Sequence, residues 1–348
     1  MGKNNFKKLS EEELREKIAQ DEKRESTMKL LGLYGAIVGA IGMALFLALG
    51  VDVLALIFGL IFLVGVILCF AGTHLQRKTR SMVNEQLDDF YEAELKKTFG
   101  PRMDTSKMHF SQSLMRKLRP VDESWDEYQA WRYYEGNYHG THFSVANVEL
   151  VDRIRDGENG DKLITRFEGM VLRCEDICDP ALDITLRGNG GSKRESDLAD
   201  PAVFRQFFSA STADGQPADD LVTPELRELV RKLKACDNHE LVDLELRRLR
   251  KNISWAQEMD KKLKNTHMME NNVLDQIRKQ EDLAQNLPVT ALALHDGEAI
   301  LAVNGYIFAE GMLEGSSLKN VDLIRERFKA TLPPVCDLID ILRDFCGK

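Results

Sequence analysis

Four groups of residues have the types and spacing to do chemistry. His139 and His142 lie three apart, with Glu149 downstream. Two imidazoles and a carboxylate make a metal-ligand set when all three aim at one point. On a strand, residues three apart face opposite sides, so only a turn brings these histidines together. Cys174 and Cys178 flank Glu175 and Asp176. Redox and metal pairs use the closer CxxC spacing, so these read as two ordinary reduced thiols at a strand end. Gly188-Asn189-Gly190-Gly191-Ser192-Lys193 has the composition of a phosphate cradle. It lacks the GxxxxGK[ST] spacing and a strand–loop–helix setting, which leaves a surface loop. Arg247, Arg248, Arg250 and Lys251 form a basic cluster that lipid headgroups or an acidic partner can bind. Nearby Glu240, Asp243 and Glu245 weaken its field, which favours a solvated face. No G-x-S-x-G elbow, HExxH or kinase signature is present. The sequence names no catalytic residue, no cofactor and no metal ligand. An enzyme reading would rest on His139, His142 and Glu149.

The elements that carry these groups hang on one stretch. Leu30 to Gly72 is apolar, with a single charge, Asp52. A bilayer core needs roughly 20 apolar helical residues, and Leu30–Gly50 and Val53–Gly72 each supply that length. A helix also satisfies its backbone without water. Gly50-Val51-Asp52 is the one polar or flexible break, so the turn is expected there. Lys23, Arg24 and Lys29 precede the pair, Arg77, Lys78 and Arg80 follow it, and the turn has no Lys or Arg. Positive flanks stay in the cytoplasm. The expectation is a multi-pass protein of the cell (inner) membrane with both termini cytoplasmic and Asp52 outside. No cleavable signal peptide is expected, because a long charged segment comes first and a second span follows. Phe6 stands where a myristoylation site needs Ser or Thr. Gly32, Gly35, Gly39 and Gly42 share one helix face, and Ala55 and Gly59 share another. Such faces pack the hairpin on itself or support homo-oligomers. Neither span carries an ionisable residue well inside it, which gives an ion path no support.

Net charge is −9 with 30% charged residues, so nucleic acid is not an expected partner. Cys69 lies in the second span; the other five cysteines show no CxxC pair, which suits a reducing compartment. Residues 1–29 form a charged segment, helical from a capping box at Ser10 and Glu13. Residues 73–120 are juxtamembrane amphipathic helices. Val83, Leu87, Phe90, Tyr91 and Leu95 share a face that Gly100-Pro101 ends, and Phe110, Leu114 and Leu118 mark a short helix ended by Pro120.

From Tyr128 the pattern turns to alternating β segments, with turns at Gly136, Asn137 and Gly140 and at 156–161, and strands at Leu163–Leu172 and Leu182–Leu186. Thr223-Pro224 opens a helix buried through Leu226, Leu229 and Leu233. Residues 238–286 read as a helical hairpin with a seam of Val242, Leu246, Leu249, Ile253 and Ala256 that Asp260 interrupts. Val289–Leu294 and Ala299–Val303 make a β-hairpin. Two last helices, Lys319–Leu332 and Val335–Phe345, are expected to be split by Pro333-Pro334.

Three stretches carry a resemblance: Glu135-Gly136-Asn137-Tyr138-His139-Gly140-Thr141-His142-Phe143, Arg166-Phe167-Glu168-Gly169, and Leu221-Val222-Thr223-Pro224-Glu225-Leu226. With the preceding hairpin they resemble the bacterial membrane proteins classed as domain of unknown function 3137. The resemblance implies a cytoplasmic α+β domain behind the hairpin, marks 238–286 as an insertion, and brings no activity or site residue. The same residues have structural roles: Gly136 and Gly140 permit tight hairpins, and Gly169 fits a bulge or a close packing point.

The expected fold class is α+β: a transmembrane hairpin (30–72), then a cytoplasmic antiparallel sheet domain (121–348) with helices and the 238–286 insertion. The expected function is a membrane-anchored interaction or scaffold module, non-enzymatic, with a protein partner on the cytoplasmic domain and the bilayer around 30–72. The alternatives are an enzyme with an unrecognised site in the β-rich region and an accessory subunit of a membrane transport complex.

Overall fold

The computed structural model describes residues 11–104, 110–118, 125–156, 160–188, 198–263, 267–306, 308 and 321–347. The capping box at Ser10, the stop at Pro120 and the loop 189–193 lie outside them. The fold is α+β. The chain divides into two compact units, Met1–Tyr91 with Gly311–Arg325, and Glu92–Glu310 with Glu326–Lys348.

The first unit is built on α1 (Glu11–Ala48) and on α2 (Asp52–Phe99), which continues into the second unit. Both helices are long and apolar enough to cross a membrane. The turn falls where expected, with Gly50 at φ 69°. Glycine permits that conformation at no steric cost. Asp52 opens α2, where a carboxylate favours the positive end of the helix dipole. The glycine face of α1 lies against α2 of the same chain. A Cβ at Gly39 would overlap the Phe62 backbone, one at Gly42 the Phe58 ring, and one at Gly65 the Ala36 amide. Polar contacts resume below the apolar stretch: Lys29 Nζ donates to Gln76 Oε1 at 3.0 Å, and Thr79 Oγ1 donates to Asp21 Oδ2 at 2.9 Å. Leu30–Ala48 spans about 28 Å at the helical rise, close to a bilayer core.

The second unit is built on one seven-stranded sheet in the order β1-β2-β3-β7-β6-β4-β5. The strands are β1 (Glu127–Tyr138), β2 (Thr141–Asp156), β3 (Gly160–Glu175), β4 (Ile184–Gly188), β5 (Phe208–Ser211), β6 (Val289–His295) and β7 (Glu298–Asn304). Every neighbouring pair is antiparallel. Two hairpins turn on His139-Gly140 and Asp296-Gly297, all four residues with positive φ. That backbone matches the twist of the flanking strands.

Period 2 along β2 divides the sheet into two faces. Phe143, Val145 and Asn147 lie on one and are fully buried. There the Phe99 ring sits 4.9 Å from Phe143. Asn147 clamps the chain after β7: its Nδ2 donates to the Phe308 carbonyl and its Oδ1 accepts the Phe308 amide, both at 2.7 Å. On the opposite face Ala146, Val148 and Leu150 join Phe167, Val171, Ile300 and Ala302 in a core. Phe110, and Met115 and Leu118 from α3 (Gln112–Leu118), complete it. Gly169 is a close packing point, because a Cβ there would overlap the Val303 carbonyl oxygen.

The helices largely follow the sequence pattern. α5 (Pro224–Lys234) is capped by Thr223, whose Oγ1 accepts the Leu226 amide at 3.2 Å. α6 (His239–Leu263) and α7 (Met268–Gln285) form the helical hairpin. Asp260 interrupts its seam because its carboxylate accepts the Met269 and Glu270 amides, capping α7.

Three expectations are corrected, and two short elements are added. Gly136 and Asn137 lie inside β1 rather than in a turn, and Gly136 is needed because a Cβ would overlap the Met103 sulfur. The short α4 (Pro201–Phe207) and β5 had no sequence signal, and β5 forms by pairing with β4. The last two helices are one, α8 (Val321–Cys346), with Pro333 and Pro334 inside it. Its buried stripe of Phe328, Leu332, Val335, Leu338, Ile339 and Leu342 outweighs the hydrogen bonds that proline removes. The cysteines are not all unpaired: Cys178 and Cys346, 168 residues apart, form a disulfide. Local spacing carries no trace of a pair closed by tertiary folding.

Candidate functional site

One cluster of polar residues in the second unit lies at one end of the face that carries Ala146. Cross-strand pairing puts them there. His142 stands opposite Glu175, and Ser144 stands opposite both Glu135 and Arg173. His142 bridges two carboxylates, with Nδ1 3.0 Å from Glu175 Oε2 and Nε2 3.3 Å from Glu135 Oε1. Arg173 pairs with Glu175 at 2.9 Å and grips Glu298 through Nε and Nη2. The Glu298 hydrogen bond is the largest influence holding the Arg173 guanidinium above its ordinary pKa. Ser144 beneath them is buried, and its hydroxyl has no hydrogen-bond partner among the described residues.

Further across the same face, Thr185 pairs with Ala293, and His295 follows two residues on. Thr185 Oγ1 lies 2.6 Å from His295 Nε2, and His295 Nδ1 lies 2.7 Å from Asp183 Oδ1. The order hydroxyl, imidazole, carboxylate is that of a nucleophile, its base and the base's orienting group. Two observations weigh against catalysis. Thr185 is only 3% exposed, which keeps a substrate atom from Oγ1. Asp183 is near His295 Nδ1 but out of line, so that nitrogen lacks a true hydrogen bond. The group joins β4 to β6 and does not present a nucleophile.

The residues singled out by type and spacing separate in space. His139 sits in the β1–β2 turn, and its Nδ1 lies 3.1 Å from Asp340 Oδ1 on α8. His142 turns to the polar face. Glu149 lies seven residues further along β2 and accepts from Thr165 Oγ1 at 3.1 Å. The three do not converge, and both ring nitrogens of His142 already face carboxylates. Among the described residues no group of His, Cys, Asp and Glu is placed to hold a metal ion.

The free thiols of the second unit are poor nucleophiles. Burial pushes Cys174 and Cys236 up to about 12 and Cys336 up to about 11. A thiol so shifted is almost wholly protonated at neutral pH. The basic cluster lies on α6, exposed at Arg247, Arg248, Arg250 and Lys251. Sequence reasoning missed Asp183, Thr185, Glu135, Arg173, His295 and Glu298, which become neighbours only through strand register.

Comparison with protein-family models, with curated proteins and with solved structures finds no match for the chain.

Proposed function

We propose that this chain is a membrane-anchored interaction module, held in the bilayer by α1 and α2 and presenting the β-sheet unit to a protein partner. One observation carries the anchor. Along both apolar segments, large side chains such as Leu31, Ile41, Leu45, Leu56, Leu63, Ile67 and Phe70 face outward. Grooves between the helices are lined by Leu31, Gly35, Ile57, Leu60, Ile61, Val64, Gly65 and Leu68. A continuous apolar surface of this extent marks a membrane or protein contact, and its length matches a bilayer core.

The positive flanks favour a cytoplasmic location for both ends and for the sheet unit. The Cys178–Cys346 disulfide pulls toward an oxidising compartment. Six flanking cations against none in the turn carry more weight, because the charge of the segments beside the spans sets their orientation directly. The same arrangement is what the sequence resemblance to domain of unknown function 3137 would imply. An interaction role is favoured over turnover because the polar end of that sheet face consists of mutually paired charges around a shielded hydroxyl.

The test is membrane fractionation with an alkaline carbonate wash, together with a membrane-impermeant maleimide on Asp52→Cys protein in intact cells. The expected result is retention in the pellet and labelling at position 52 above the wild-type background. Release into the supernatant removes the anchor. Retention without labelling at position 52 inverts the topology.

A further inference from the structure

Midway along α6 an indole stands in solvent. Trp255 is 57% exposed, although its helix has a buried seam. That seam, Val242, Leu246, Leu249 and Ile253, packs on Val273 and Ile277 of α7. Trp255 projects from the opposite side. At 3.6 residues per turn, Arg248, Lys251, Trp255 and Lys262 fall within about 60° of one another, and all four are exposed.

The stripe carries three cations, Arg248, Lys251 and Lys262, with Arg247 and Lys261 on its flanks, Glu258 at its edge, and Glu240 and Asp243 N-terminal to it. Between residues 247 and 262 stand six Lys and Arg against two carboxylates, Glu258 and Asp260. Asp260 is buried and committed to capping α7. Glu258 pairs with Lys262 at 2.7 Å, Glu245 takes Arg248 at 2.9 Å, and Glu281 lies 4.0 Å from Arg250. Arg247, Lys251 and Lys261 have no carboxylate partner among the described residues. A second apolar side chain, Met268, is 73% exposed at the start of α7.

We propose that this stripe docks on the anionic headgroup surface of the bilayer that the chain's own apolar helices enter. The inference rests on the membrane-anchored reading. Phosphate-bearing lipids complement Lys251 on the stripe and Arg247 and Lys261 on its flanks, and basic helix faces are drawn to anionic leaflets. An indole amid cations on one helix face is the composition of an interfacial helix, its ring at headgroup level and its charges on the phosphates. The stripe is a convex helix face without a pocket, which suits a fluid surface better than a shaped peptide. Anchoring also holds a headgroup surface at high effective concentration.

The experiment uses full-length protein in nanodiscs containing brominated phosphatidylcholine, with or without about 30 mol% phosphatidylglycerol. Tryptophan emission is read alongside acrylamide quenching. With three tryptophans in the chain, the anionic discs are expected to quench roughly a third more of the emission than the zwitterionic ones. Acrylamide access should fall in parallel. Trp255→Ala should abolish the difference, and so should Lys251→Glu combined with Lys262→Glu. Equal quenching of wild-type protein in both discs overturns the inference without any variant. So does a Trp255 that stays fully open to acrylamide in the anionic discs. Failure of the carbonate wash, by contrast, removes the anchor itself.

Discussion

Asn147 shows how much one side chain can hold. It sits mid-strand on β2, fully buried, and hydrogen-bonds both the amide and the carbonyl of Phe308. Removing one partner of a buried pair costs more than the bond's net worth, because the remaining groups stay desolvated. Asn147→Ala should lower unfolding stability by about 2–4 kcal/mol, read as a shift in denaturant midpoint at unchanged slope. Lys234 gives a pH signature. It is buried at the end of α5, and burial lowers its pKa below the ordinary lysine value of 10.5. Over the window between the folded-state pKa and 10.5 the unfolded chain binds more protons, so stability rises with pH. Lys234→Met should be more stable than wild type at neutral pH, and its advantage should shrink as pH approaches 10.5. A constant difference across that range would show that Lys234 keeps its proton in the fold.

Among the elements, the α6–α7 hairpin depends on one turn. Asp260 ends the apolar seam, and the same carboxylate satisfies two free amides of α7. Asp260→Ala should cost about 1 kcal/mol, the usual worth of an N-cap. Hydrogen exchange should accelerate at Met269 and Glu270 while the seam around Leu246 and Ile277 keeps its protection. Loss of protection along both helices would mean that the cap holds the whole hairpin. α8 teaches a different lesson. Two prolines predict a break, yet the helix runs through them because its apolar stripe is buried on either side.

For the whole molecule, the disulfide and the topology are linked. Cys178 and Cys346 close a loop of 168 residues, and chain entropy puts the stabilisation at up to about 5 kcal/mol. Cytoplasmic placement predicts that both are free thiols in growing cells. Alkylation during lysis followed by mass spectrometry should find them blocked, and air-oxidised protein should melt higher than Cys346→Ser protein. A bonded pair at the moment of lysis would move the sheet unit to the outer side. The glycine face has a whole-molecule reading as well. Gly39 and Gly42 meet α2 of the same chain, so bulk there strains the hairpin before it reaches any neighbour.

Local patterning by itself determined the two apolar spans and their turn, the Thr223-Pro224 cap, the α6–α7 seam, the β6–β7 hairpin and the close approach at Gly169. Each depends on residues near one another in sequence, through length, period or a single backbone requirement. His139 sits in the β1–β2 turn rather than on a strand, so its separation from His142 rests on side-chain partners and not on the period-2 rule. Tertiary structure alone decided the strand order, the short β5, the unbroken α8 and the Cys178–Cys346 pair. It also decided which polar groups meet: Asp183, Thr185 and His295 come together around β4 and β6, and Glu135, His142, Glu175, Arg173 and Glu298 across four strands. Register sets those meetings, and a shift of one residue would turn each side chain to the other face. Likewise, the exposure of Trp255 became visible only once the buried seam of α6 had taken the opposite side.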